Sequence, residues 1–81
     1  MSKFFKIYCY TKNDPEALAE CSEVSIQASP EVLRELSSFL RNAADKLERS
    51  SGNIDHIHLQ DETKSRSDEF PDVIAVLPTN H

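Results

Sequence analysis

The chain has 81 residues, a formal net charge of -5 and a single glycine. Phosphate backbones are met by clustered Lys and Arg, so this acidic balance excludes nucleic acid as the expected partner, and one glycine leaves no glycine-rich phosphate loop. The length predicts one small domain over residues 1–81, and a domain of that size buries only about 60–65% of its unfolded surface, so its stability margin is thin.

No stretch reaches the ~18 apolar residues of a membrane span. Lys6 and the polar Thr11–Asp14 stretch interrupt the N-terminal apolar residues, so no signal peptide is expected and the chain reads as cytoplasmic. No membrane partner and no cofactor are expected.

Residues 4–11 are rich in aromatic and β-branched types and predict a first strand, with Phe5, Ile7 and Cys9 on one face and Lys6, Tyr8 and Tyr10 on the other. Residues 12–20 form a polar connection in which Asn13 or Asp14 could cap a short helical turn, with Pro15 at its first position. Residues 22–28 alternate strictly, with Val24, Ile26 and Ala28 on one face and Glu23, Ser25 and Gln27 on the other, and predict a half-buried second strand. In these phases Cys9 points to the core and Cys21 away from it, which argues against a disulfide and suits a reducing compartment.

The strongest local signal follows. Ser29-Pro30-Glu31 is a helix start: Ser caps, Pro occupies the first turn and Glu sits at the positive end of the dipole. Val32, Leu33, Leu36, Phe39, Leu40, Ala43, Ala44 and Leu47 then recur at steps of three and four, an amphipathic helix to about Arg49. Gly52 or Asn53 is the expected left-handed residue that ends it. Residues 54–60 alternate again, with Ile57 and Leu59 opposite His56, His58 and Gln60. Residues 61–71 read as a charged polar loop. Residues 72–78 are apolar on both faces and predict a strand buried on both sides, before a loose tail at 77–81.

The predicted fold is therefore α+β: a single four-stranded sheet in ββαββ order with one long helix packed on one face. One helix covers one face of such a sheet. The open face would carry Tyr8, Tyr10, Glu23, Gln27, His56 and His58, a half-aromatic, half-polar mixture that suits either a ligand, self-association or partner surface or a solvated face.

The strand spacing of His56 and His58 places both imidazoles side by side. With Asp55, Asp61 or His81 they could hold zinc, but two histidines do not complete a site, so no metal is assigned. On a contact surface the same residues would make affinity change between about pH 5 and 7. No serine lies in a nucleophile elbow, and no catalytic residue is assigned. The carboxylates of Asp61, Glu62, Asp68 and Glu69 share a loop with Lys64 and Arg66 and read as a solvated surface or, with Glu16, Glu20 and Glu23, as an acidic patch that meets a basic partner.

One long stretch carries a resemblance. Glu-Val-Ser-Ile-Gln-Ala-Ser-Pro-Glu-Val-Leu-Arg-Glu-Leu at 23–36 runs into Ser-Phe-Leu-Arg-Asn-Ala-Ala-Asp-Lys-Leu-Glu at 38–48, then His-Ile-His-Leu-Gln-Asp at 56–61 and Pro-Asp-Val-Ile-Ala-Val at 71–76. This resembles the immunity protein 32 family of bacterial polymorphic toxin systems. The matching positions are Ser29, Pro30, Glu31, His58, Asp61, Pro71 and Asp72, and most of them look structural. The resemblance implies a non-enzymatic protein that neutralises a cognate toxin by direct non-covalent binding. The residues expected to contact that partner are Tyr8, Tyr10, Glu23, His56, His58, Asp61, Glu62, Asp68 and Glu69. The alternative is a small homodimeric structural or regulatory module that pairs through the open sheet face.

Overall fold

The computed structural model describes residues 4–62 and 70–78. Asp68, Glu69 and His81, and the end of the expected tail at 79–81, lie outside the described residues. The described elements are β1 (Ile7–Cys9), β2 (Ala19–Cys21), α1 (Pro30–Arg49), β3 (His56–His58), α2 (Leu59–Glu62) and β4 (Ile74–Val76).

The predicted four-stranded sheet is not what forms. The strands make two separate two-stranded sheets, β1 with β2 and β3 with β4, both antiparallel. The second strand is displaced: β1 pairs with Ala19–Cys21 in the register Ile7↔Cys21, Tyr8↔Glu20 and Cys9↔Ala19. The residues between turn through local bonds. The Asp14 N–H donates to the Thr11 hydroxyl at 3.0 Å, and the Ala17 N–H to the Asp14 carbonyl at 3.3 Å. Thr11, rather than Asn13 or Asp14, is thus the side chain that anchors the turn.

With β1 satisfied by 19–21, the alternating segment 22–28 has no ladder to join. It runs outside any strand, and Val24 and Ile26 are more than half exposed. Alternation creates a face to bury but does not supply a pairing partner.

The helix forms where the pattern places it. The Ser29 hydroxyl accepts the Val32 N–H at 3.2 Å, Pro30 opens the helix, and Glu31 lies in the first turn with Lys46 and Arg49 in the last. Its end is made by Ser50, whose N–H donates to the Lys46 carbonyl at 3.0 Å, and by two left-handed residues, Ser51 (φ 55°) and Gly52 (φ 90°). Asn53 is not one of them.

Phe39, Ala43 and Leu47, four residues apart, bury one stripe of α1 against Ile57 and Leu59, with Leu36, Val73 and Ala75 at the margin. The helical pattern is wider than the two strands available to cover it. Leu33 and Leu40 consequently stay 43% and 49% exposed. No residue of β1 or β2 belongs to this core cluster, so Cys9 is half-buried against its neighbouring strand instead of entering the core.

The last strand is also corrected. Ile74 and Val76 are exposed and only Ala75 turns inward, because β4 has a neighbour on one edge and helix cover on one face. It is not buried on both sides.

Candidate partner surface on the β3–β4 pair

The register His56↔Val76, Ile57↔Ala75 and His58↔Ile74 sorts the side chains by parity. Ile57 and Ala75 face α1. His56, His58, Ile74 and Val76 share the outward face. Backbone bonds continue the pairing at both ends: the Leu59 N–H donates to the Val73 carbonyl at 2.8 Å and the Leu77 N–H to the Asp55 carbonyl at 2.9 Å. The outward face is therefore held by a paired ladder whose inner side packs on the helix.

Each histidine on it is oriented by a carboxylate. His58 Nδ1 donates to Asp72 Oδ2 at 2.7 Å, and His56 Nδ1 to Asp55 Oδ1 at 2.8 Å. The two rings meet edge to face with centroids 5.2 Å apart.

Asp72 is the better-anchored carboxylate. Its Oδ1 also accepts the N–H groups of Gln60 at 2.9 Å and Val73 at 3.0 Å. Partial burial pushes its pKa up, but the His58 bond and charge and the two backbone donors outweigh that and hold it below the ordinary value. Asp55 is lowered chiefly by the His56 hydrogen bond, against a smaller desolvation effect.

With Nδ1 of each ring turned to a carboxylate, both imidazoles are held in fixed orientations on the outward face. Among the described residues no group of three or more His, Cys, Asp or Glu is placed to hold a metal ion.

An apolar groove adjoins this face. It is lined by Leu40, Ala44 and Leu47 of α1 and by Ala75, Val76 and Leu77. Val76 belongs to both surfaces. The groove exists because the helical stripe is wider than its sheet, as Leu40 already shows.

The expected partner residues are not assembled as the single-sheet reading required. His56 and His58 do lie together, whereas Tyr8 is on the other sheet and Tyr10 immediately follows it. Both tyrosines are exposed. Glu23 is exposed outside any strand, and Asp61 and Glu62 sit on α2, where Glu62 pairs with Lys46 of α1. Ile74, Val76 and Leu77 were not among the expected contact residues. Their all-apolar run suggested burial, and only the strand count shows it exposed.

A family model described as immunity protein 32 matches residues 23–76, two-thirds of the chain. The chain belongs to the immunity protein 32 family. The matched segment spans α1, β3, α2 and β4, the elements that build the core and the outward histidine face, while β1 and β2 precede it. No curated protein and no solved structure matches. Among the described residues no helix is long and apolar enough to cross a membrane.

Proposed function

We propose that this immunity protein neutralises a cognate toxin by direct non-covalent binding and without catalysis of its own. The observation that carries the proposal is the coincidence of the family match with the elements presenting the His56–His58 face and the Leu40–Val76–Leu77 groove. An inhibitor's contact surface works through a few desolvated anchors ringed by polar groups. His56, His58, Ile74 and Val76 supply such anchors, and Asp55, Asp61 and Asp72 supply carboxylates around them. No Lys or Arg lies between Asn13 and Glu23, and the 55–72 segment also carries an acidic excess. That charge suits a basic toxin and speeds encounter with it. Tyr8, Tyr10, Glu23, Glu62, Asp68 and Glu69 complete the proposed contact set, with the tyrosines as an independent patch on the β1–β2 pair.

Co-expression with the product of each neighbouring gene, as candidate toxin, tests the reading. Survival of the host and co-purification of an equimolar complex are expected. Host death despite soluble immunity protein, with no complex recovered, would overturn it. Val76→Asp places a charge at the junction of face and groove and is expected to weaken binding at least about a hundredfold, in the range of a hot-spot loss.

The exposed apolar strip supports a second reading, homodimerisation through Leu40, Val76 and Leu77. Light scattering of the isolated protein separates the two, since a strict monomer at high micromolar concentration removes this alternative.

A further inference from the structure

Cys9 and Cys21 come together in a way their sequence phases concealed. The register places Cys9 opposite Ala19 and Cys21 opposite Ile7, so the two cysteines are diagonal neighbours on one face of the β1–β2 pair. Their sulfurs are 3.1 Å apart, and both residues are free thiols, half-buried and open in part to solvent. About 1 Å of approach separates this contact from a disulfide bond length.

We infer that Cys9 and Cys21 form a reversible intramolecular disulfide, closed by exchange with a low-molecular-weight disulfide, that braces the β1–β2 pair. In the first step one cysteine loses its proton to solvent and its thiolate attacks the small disulfide. One small thiolate leaves and takes up a proton, and a mixed disulfide remains on the protein. The second cysteine, likewise deprotonated, attacks the protein sulfur of that mixed disulfide and expels the second small thiolate. Two protein thiols are oxidised by two electrons, and one small disulfide is reduced to two thiols.

One structural feature favours reversibility over a permanent crosslink. A diagonal pair must span a longer reach than directly opposite residues, and a bond closed under such strain reduces readily. Hydrogen bonding between the two thiols, with lesser help from desolvation and charge, holds the Cys21 pKa above its ordinary value, so exchange through its thiolate speeds as pH rises.

The bond would also have something to brace. Each strand of the pair has three residues, and neither contributes to the core cluster. A two-stranded pair of this kind is marginal on its own. The Lys6–Glu20 ion pair on the opposite face is 3.9 Å long and exposed at both ends, so it adds little.

The test equilibrates the purified full chain with excess oxidised glutathione, then with excess reduced glutathione, quenching each stage by alkylation for mass spectrometry. The expected product has lost two hydrogens, links the Cys9 and Cys21 peptides, carries no glutathione, and returns to two alkylated thiols on reduction. Cys9→Ser and Cys21→Ser should each hold one glutathione adduct instead. Amide exchange across β1 and β2 should slow in the oxidised chain by up to about a hundredfold, the limit set by the loop-closure entropy of a loop this short before the strain of closure is subtracted. Persistent glutathione adducts on the wild type, disulfides between chains, or thiols left unoxidised would overturn the disulfide. Unchanged exchange in the oxidised chain would overturn its bracing role.

Discussion

His58 Nδ1 and Asp72 Oδ2 lie 2.7 Å apart and tie the end of β3 to the residues entering β4. Asp72 Oδ1 simultaneously accepts from Gln60 and Val73, so one carboxylate satisfies three donors where the ladder ends. Asp72→Ala removes all three bonds and is expected to cost about 1–3 kcal/mol. Asp72→Asn keeps an acceptor for the backbone donors and should cost less. Urea denaturation at pH 7 checks both.

The same carboxylate sets an acid dependence. Its folded pKa lies below the ordinary value, so the unfolded chain binds that proton more readily than the folded one. Its contribution is fully present above the ordinary Asp pKa of about 3.9 and is lost as pH falls through that value toward the folded one. The gap between the urea midpoints of wild type and Asp72→Asn is therefore expected to be wider at pH 6 than at pH 3 and to narrow steadily as pH falls below the ordinary Asp value. Asp55 is also lowered, so the comparison with Asp72→Asn is what isolates the Asp72 share.

The helix start offers a cleaner single bond. Ser29→Ala removes the acceptor of the Val32 N–H and is expected to cost about 1 kcal/mol. For a domain of this size that lowers the melting temperature by about 4–8 °C. Ser29→Asp keeps the cap and adds a charge at the positive end of the dipole, so it should melt no lower than wild type.

Much of this architecture was legible because its causes are local. The cap at Ser29, the proline at the first turn and the spacing of Phe39, Ala43 and Leu47 are chemistry within one segment. The inward Ile57 and the outward histidines follow from strand alternation alone. Partner choice between segments is not local. Residues 22–28 carry a strand pattern but find no strand, because the turn at Thr11–Ala17 delivers 19–21 to β1 first. That displacement also brings Cys21 beside Cys9 and separates the sheet of Tyr8 from that of His56. Asp72 and His58 were each conspicuous, but their contact depends on the β3–β4 register.

The core is small enough for one residue to decide folding. Phe39 is 4% exposed at the head of the cluster with Ala43, Leu47, Ile57 and Leu59. Phe39→Ala is expected to cost about 3–5 kcal/mol through lost burial and the cavity left behind. A chain of this length has roughly 4–12 kcal/mol in total at typical stability per residue. Circular dichroism should therefore show Phe39→Ala largely unfolded at 37 °C or melting far below wild type, while Phe39→Leu keeps a cooperative transition.

Adjacent residues at the helix end should respond with opposite signs. Ser51 holds φ at 55° although it carries a Cβ, a conformation that costs an L-residue about 1–2 kcal/mol. Ser51→Gly relieves that cost, loses part of the gain to a more flexible unfolded chain, and is expected to stabilise by up to about 1 kcal/mol. Gly52 holds φ at 90°, and a Cβ built there meets no atom within 4 Å. The penalty for Gly52→Ala is thus one of backbone conformation alone, about 1 kcal/mol or more, and Asn at the same position should cost less because it tolerates left-handed geometry. Chemical denaturation of the three variants checks the order: Ser51→Gly above wild type, Gly52→Asn below it, and Gly52→Ala lowest. Equal losses for Asn and Ala would show that something other than the left-handed backbone sets the cost.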